Sequence, residues 1–153
     1  MESIHQKQLI TNWLSFSNLQ MKITNELESS LQQKHQLSLN EFYVLLFLHE
    51  APEKKLKLQQ LQNLVGLSQS AMSRLVSRFE ARDCGVLKRN ICVDDRRAIY
   101  TSLTPEGEEK LTKAMVTFNA TLEKTFSKEM VIEELQQLMI QLKGNGTKEN
   151  PDC

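Results

Sequence analysis

The sequence predicts a mostly α-helical fold that contains one small β-hairpin. Through most of the 153 residues, apolar side chains recur at intervals of three and four, the period of an amphipathic helix. Two runs with period-two alternation, 86–93 and 98–103, flank a charged four-residue tip, Asp94-Asp95-Arg96-Arg97. Because an isolated two-stranded hairpin is only marginally stable in water, this hairpin is expected to pack on a neighbouring helix.

Two helices are predicted in the first third of the chain. The first covers residues 4–35, where neither Gly nor Pro interrupts the apolar stripe. The second begins at Ser38, because Glu41 follows at the spacing of a capping box. It ends at Ala51-Pro52-Glu53, since the residue before a proline disfavours helix.

A pair of shorter helices with a tight turn between them is predicted before the hairpin. Residues 57–65 form the first, and Gly66 follows as a left-handed stop. Ser68 is a suitable N-cap for the next helix, which covers 69–84 and ends at Gly85. Two helices in this order, joined by a short turn, are typical of a helix-turn-helix.

Two further helices are predicted after the hairpin. Thr104-Pro105 is a strong helix start, a cap followed by proline at the first helical position. A break near Ser127 separates this helix from the last one. The predicted organisation is an N-terminal dimerisation helix, a winged helix-turn-helix lobe, C-terminal dimerisation helices and a disordered polar tail, over residues 1–37, 38–103, 104–143 and 144–153.

The fourth helix combines an apolar back with a polar and basic front. Its apolar residues are Met72, Leu75, Val76 and Phe79. Short hydrogen-bonding side chains and cations near a helix start suit the base edges and phosphates of a DNA major groove. The candidate DNA-binding residues of this helix are Ser68, Gln69, Ser70, Ser73, Arg74 and Arg78.

The hairpin tip supplies a second candidate contact. An arginine inserted into the narrow, negative minor groove is strongly stabilised there. Of the two adjacent arginines, one is expected to enter the groove and the other to face phosphate, and a nearby aspartate can hold the inserted guanidinium. The candidate residues of the tip are Asp95, Arg96 and Arg97.

Charge is distributed unevenly along a chain whose net charge is zero. The 19 Lys and Arg residues balance 19 Asp and Glu residues. Residues 68–99 hold seven basic and four acidic residues, whereas 104–143 hold five lysines and seven glutamates. A basic middle with an acidic flank fits a protein that touches a polyanion with one region only.

Several classes of function find no support in the sequence. Gly-rich phosphate loops, HExxH and GxSxG are absent, so an enzyme is not expected. The three cysteines and three histidines lack metal-ligand spacing, so neither a metal nor another cofactor is predicted. No apolar run reaches the roughly 18 residues of a membrane span, and residues 1–13 lack a signal-peptide core, so we expect a cytoplasmic protein without membrane contact.

The middle of the chain resembles the MarR family of bacterial transcription regulators. The resemblance rests on RLVSRFEARDCGVLKR after Ser68 and on DDRRAIYTSLTPEG, which contains the Asp-x-Arg tip and the LTxxG helix start of that family. It implies a homodimer whose terminal helices interlock and whose two winged lobes bind a pseudo-palindromic double-stranded DNA operator, most simply as a repressor. Arg97 would be the minor-groove arginine, with Asp95 as its support and Arg96 facing the backbone.

The resemblance also implies a trigger, whose identity the residues leave open. Many such regulators bind a small aromatic or lipophilic effector in a cleft between the dimer helices and the DNA-binding lobe. Four aromatic side chains are candidates for lining it, although core packing would also suit each: Trp13, Phe16, Phe42 and Tyr43. One alternative is a redox-responsive regulator that uses Cys84 and Cys92, and another is a winged-helix adaptor that binds protein.

Overall fold

A computed structural model describes residues 3–82, 85–91 and 99–144. Within these ranges there are six α-helices, one 3-10 turn (Pro52–Lys54) and three strands. In chain order they are α1 (Ile4–His35), α2 (Leu39–Glu50), β1 (Lys55–Lys57), α3 (Leu58–Val65), α4 (Gln69–Arg82), β2 (Leu87–Ile91), β3 (Ile99–Leu103), α5 (Pro105–Phe126) and α6 (Glu129–Gly144). The predicted mostly α-helical fold with a small β component is confirmed.

Local caps set the helix boundaries, as the sequence predicts. At the start of α2 the Glu41 backbone N–H donates to Ser38 Oγ at 3.1 Å, and the Ser38 N–H donates to Glu41 Oε1 at 3.4 Å. Gly66 ends α3 at φ +83°, where a side chain would be strained. The Ser68 hydroxyl caps α4 by accepting from the Ala71 N–H at 3.2 Å.

The sheet has one strand more than the predicted hairpin. Strand β1 pairs antiparallel with β3, giving the order β1-β3-β2 in this part of the chain. A three-residue strand is too short to show an alternating pattern, and its partner lies more than 40 residues away, so only the tertiary fold reveals it. Glu53 and Lys54, at φ 56° and 55°, turn the chain into β1.

The chain divides into two compact units. The central unit, residues 30–118, has a continuous apolar core. Its fully buried side chains include Leu31, Phe42, Leu45, Leu48, Leu61, Met72, Val76 and Phe79. The ring of Phe42 stacks on that of Phe118 with 4.6 Å between centroids, which joins α2 to α5.

The terminal unit combines residues 1–29 with the described residues after 118. Its buried apolar side chains are Leu19, Leu27, Val131 and Leu138. The Thr125 hydroxyl donates to Glu26 Oε2 at 2.6 Å, and the Lys128 ammonium pairs with Glu26 Oε1. These hydrogen bonds lower the pKa of Glu26, the one from Lys128 most strongly. None of the described helices is long and apolar enough to cross a membrane.

Candidate nucleic-acid interface

Helix α4 is held by one face and presents the other to solvent. Met72, Leu75, Val76 and Phe79 are buried at spacings of three and four. The opposite face is exposed and carries Gln69, Ser70, Ser73, Arg74, Ser77 and Arg78. The structure therefore brings the predicted polar candidates of α4 together on one exposed face.

The start of α4 follows a tight turn after α3. Gly66 reverses the chain, and the Ser68 hydroxyl contacts both the Ala71 N–H and the Ser70 hydroxyl, the latter at 3.4 Å. The cap fixes the direction of the first turn of α4, whose free N–H groups favour a negatively charged group. Ser68 is thus already used as a cap, whereas Gln69 and Ser70 are exposed beside it.

A shallow groove of about 570 Å³ runs along the exposed face of α4. Asn40 of α2 and Leu67 of the turn before α4 also line it. From α4 it is lined by Ala71, Ser73, Arg74, Leu75, Ser77 and Arg78. Within the described residues, neither Arg74 nor Arg78 forms an ion pair with a carboxylate. The groove therefore has a largely apolar floor, with the guanidinium groups of Arg74 and Arg78 and the hydroxyls of Ser73 and Ser77 along it.

Arg89 of β2 has a different role from the two groove arginines. Its Nε donates to Glu80 Oε1 at 2.9 Å, and its Nη2 donates to Ser77 Oγ at 3.2 Å. Both acceptors lie on α4, so Arg89 ties the hairpin strand to the helix and is neutralised there. The sequence analysis did not identify this contact, although the strand alternation places Arg89 on the same side of β2 as Leu87.

Arg82 is also engaged within the protein. At the last turn of α4 its guanidinium pairs with Glu41, the carboxylate that caps α2. Glu41 is only 9% exposed, and a charge so buried requires a partner. This ion pair fixes the end of α4 against the start of α2.

The LTxxG motif has a structural explanation at the start of α5. The Thr104 hydroxyl donates to the Val86 carbonyl oxygen at 3.0 Å and accepts from the Gly107 N–H at 3.1 Å. A Cβ on Gly107 would lie 2.4 Å from the Val86 oxygen, so only glycine fits. The motif thus joins the end of β3, the start of β2 and the first turn of α5.

The same end of α5 carries a small charged cluster. Lys54 Nζ lies 2.5 Å from Glu108 Oε1, and His49 Nδ1 lies 3.0 Å from the same oxygen. Hydrogen bonds from Lys54 first, and from His49 second, lower the pKa of the Glu108 carboxyl. The cluster connects the end of α2 and the turn before β1 with α5.

The remaining candidates fall into two groups. The hairpin tip with Asp95, Arg96 and Arg97, and the cysteines Cys84 and Cys92, lie outside the described residues.

The four aromatic candidates are divided between the two units. Trp13 and Phe16 are exposed in the terminal unit, with ring centroids 6.3 Å apart. Phe42 is part of the core of the central unit. The ring centroid of the half-buried Tyr43 lies 6.1 Å from the ring centroid of Phe42. Their role in effector binding stays a prediction.

A helix-turn-helix followed by a small antiparallel sheet defines the winged helix-turn-helix class. Residues 35–98 match the MarR family model, which confirms the predicted resemblance to that family. AbsC from Streptomyces coelicolor, a MarR family transcriptional regulator, is 23% identical with a TM-score of 0.73, over 95% of each chain. These matches are to transcription regulators rather than to enzymes, in agreement with the sequence analysis.

Two further solved structures share the fold. Sco3205, a MarR family transcriptional regulator from the same organism in complex with DNA, is 21% identical with a TM-score of 0.74, over 98% of this chain and 92% of its own. BpsR from Bordetella bronchiseptica, whose DNA binding is regulated by 6-hydroxynicotinic acid, is 16% identical with a TM-score of 0.65, over 84% of this chain and 89% of its own. At these identities the likeness establishes the fold.

Proposed function

We propose that the protein is a sequence-specific transcription regulator, a repressor, that binds double-stranded DNA with α4 in the major groove. The observation that carries this proposal is the exposed face of α4, where Ser73, Arg74 and Arg78 line one groove without acidic partners among the described residues. Arginine pairs with guanine edges and with phosphates, and serine hydroxyls bond either bases or backbone. Sco3205, which shares the fold, was solved with DNA.

The wing is proposed to supply the second contact. Strands β2 and β3 carry the chain towards and away from the hairpin tip, and Arg89 fixes β2 to α4. On this frame Arg97 enters the minor groove, Asp95 supports its guanidinium and Arg96 faces the backbone.

The active form is proposed to be a homodimer on a pseudo-palindromic operator. The terminal unit exposes large apolar side chains such as Trp13, which is 65% exposed, and Ile140, which is 69% exposed. Extended apolar surface of this kind is typical of a protein interface. A two-fold dimer places its recognition helices in half-sites about one helical turn apart, so operator symmetry mirrors protein symmetry.

Release from DNA is proposed to follow the binding of a small aromatic or lipophilic effector. The support is the regulation of BpsR by 6-hydroxynicotinic acid, together with the accessible aromatic candidates Trp13, Phe16 and Tyr43; Phe42 lies in the core. Titration of a protein–operator complex with small phenols and with oxidants separates this trigger from oxidation of Cys84 or Cys92.

Selection of bound duplexes from a genomic pool tests the DNA-binding proposal. Binding of the selected duplex should weaken steeply with salt, because phosphate contacts release counterions. Arg74→Ala and Ser73→Ala should relax the preferred sequence, at a cost of about 1–3 kcal/mol for a lost base contact. Lys113→Ala, which removes an exposed charge from α5, is the control and should leave the selected sequence unchanged.

Two results would contradict the proposal. One is an unaltered preferred sequence in both α4 variants, which would remove α4 from the reading of bases. The other is that no duplex is selected while a protein partner binds with little salt dependence, which would favour an adaptor.

A further inference from the structure

The three-stranded sheet has a basic face that lies opposite α4. Pairing across the strands sets Lys55, Ser102 and Lys88 in one row, and Lys57, Tyr100 and Asn90 in the next. Because alternate residues of a strand point to the same side, both rows lie on one face of the sheet. We call these six residues the outer sheet face.

The intervening row confirms this assignment. Leu56, Thr101 and Arg89 are paired with one another across the strands. Leu56 and Thr101 are buried, and Arg89 reaches α4. The inner side of the sheet therefore packs on the protein, and the outer sheet face is turned away from it.

Three lysines and one aromatic ring dominate the outer sheet face. The Nζ atoms of Lys55 and Lys57 lie 5.2 and 5.7 Å from the centroid of the Tyr100 ring, which holds two like charges side by side. Glu53 pairs with Lys55 at 2.8 Å, whereas no carboxylate among the described residues pairs with Lys57 or Lys88. Lys57 and Lys88, which have no carboxylate partner among the described residues, leave this face positively charged in a chain whose net charge is zero.

Two polar side chains of the outer sheet face are hydrogen-bonded within the sheet. The Asn90 amide donates to Ser102 Oγ at 3.1 Å, and the Ser102 hydroxyl donates to the Lys88 carbonyl oxygen at 3.2 Å. Asn90 and Ser102 are thus bonded to each other or to backbone, and the charged groups of the face are its lysines. Lysine binds phosphate as a point charge without the planar fork that recognises guanine.

We propose that the outer sheet face binds the phosphate backbone of the duplex that flanks the operator. The proposal rests on the proposed function, because β2 and β3 also carry the wing tip to DNA. The outer sheet face belongs to the strands that lead to the proposed wing contact, and it is on the side of the sheet opposite α4. It is therefore suited to contact DNA beyond the base pairs that α4 contacts. Contacts of this kind add affinity that depends on DNA length and salt but not on flanking sequence.

Nested duplexes test the proposal. Each contains the same selected operator, and flanks of unrelated sequence are added in steps of about one helical turn, or 10 base pairs. The wild-type protein should gain affinity as flanks are added. Two phosphate contacts, from Lys57 and Lys88, give a salt slope of about −1.8, so this gain should shrink about 12-fold between 50 and 200 mM salt.

Charge variants test whether the gain in affinity comes from the lysines of the outer sheet face. The triple variant Lys55→Gln, Lys57→Gln, Lys88→Gln should lose the gain from flanks and keep its affinity for the shortest operator within about twofold. The corresponding triple Lys→Arg variant should retain the gain, since the charges remain. The variant Lys7→Gln, Lys34→Gln, Lys113→Gln removes the same total charge from exposed positions elsewhere and should also retain it.

The possible outcomes separate this proposal from the proposed function. An equal gain from flanks in wild type and in the outer-face Gln variant overturns the proposal and leaves operator binding intact. The proposal is also overturned if the wild-type protein binds the operator but gains no affinity when flanks are added. That result would favour an acidic protein as the partner of this basic surface. Failure of the wild type to bind any duplex overturns both, whereas loss of flank gain in the outer-face Gln variant alone supports both.

Discussion

The central and terminal units differ in what they do with large apolar side chains. Among the described residues, 13 of the 16 exposed large apolar side chains lie in the terminal unit. Among the described large apolar side chains of the central unit, only Leu64, Ile99 and Val116 are exposed, and the others are buried or half-buried. The central unit is therefore complete as a single chain, whereas the terminal unit carries a surface typical of contact with another protein.

Basic side chains are found in both units. The central unit exposes Arg74 and Arg78 in its groove and three lysines on the outer sheet face. In the terminal unit, Lys22 pairs with Glu134 at 3.5 Å and Lys128 pairs with Glu26. The basic groove of α4 thus lies in the central unit, and most of the exposed apolar surface of the described residues lies in the terminal unit.

The largest expected effect compares a buried with an exposed aromatic residue. Phe42→Ala should lower the free energy of unfolding by about 3–5 kcal/mol, because it removes a fully buried ring from the core of the central unit. Trp13→Ala should lower it by an amount that varies with protein concentration, because an interface contributes to stability by mass action. Urea unfolding at two concentrations measures both, and a concentration-independent loss for Trp13→Ala would contradict the comparison.

Charged substitutions in the terminal unit should separate the copies. Trp13→Glu should weaken dimerisation by about 2 kcal/mol or more, the scale of an aromatic hot spot, or roughly 30-fold in the dissociation constant. Light scattering across micromolar concentrations measures the change. Leu64→Glu is the matched control, since Leu64 is also exposed but lies on α3 of the central unit. A monomeric wild type, or equal dissociation in the two variants, would contradict the prediction.

How well the sequence predicts this structure depends on how far apart in the sequence the interacting residues are. The caps Ser38, Ser68 and Thr104 bond backbone groups three residues away, so their patterns can be recognised directly. Strand β1 and the contacts of Arg89 depend on partners that only the tertiary fold brings close. No periodicity in a single sequence contains that information.

The candidate site shows the same division. Helical periodicity alone predicts the exposed face of α4, and the structure shows that face. Whether a basic residue is engaged within the protein depends on long-range contacts, so only the structure shows that Arg82 and Arg89 bind carboxylates, unlike Arg74 and Arg78 among the described residues. The sequence singled out only the latter pair as DNA contacts, and its wing-tip prediction awaits a functional test.

Two arginines of the wing should therefore respond differently to removal. Arg97→Ala should weaken operator binding by about 1–3 kcal/mol without changing protein stability, because its proposed partner is DNA. Arg89→Ala should instead lower the unfolding free energy by about 1 kcal/mol, since it removes hydrogen bonds to Ser77 and Glu80. Fluorescence anisotropy at fixed salt and thermal unfolding, applied to both variants, measure the contrast. Unchanged operator affinity for Arg97→Ala would remove the wing assignment.

The smallest expected effect concerns an ion-pair cluster of the central unit. Lys54 and His49 hold the pKa of Glu108 below its ordinary value, so ionised Glu108 stabilises the folded state at pH values above the unfolded pKa of about 4.3. This contribution, below about 1 kcal/mol for a solvent-accessible pair, is lost as the pH falls through the lowered pKa. Unfolding of wild type and Glu108→Gln from pH 7 to pH 3 measures it.

Glu26 of the terminal unit is the counterpart of Glu108 in the central unit. Lys128 and Thr125 lower the pKa of Glu26 in the same direction, so Glu26→Gln should show a pH dependence of the same sign. For each variant, the difference in unfolding free energy from wild type should be greatest near neutral pH. It should vanish in acid, where the carboxyl of Glu108 or Glu26 is protonated. A difference that persists unchanged to pH 3 would mean that the side chain stabilises its unit through packing and not through its charge.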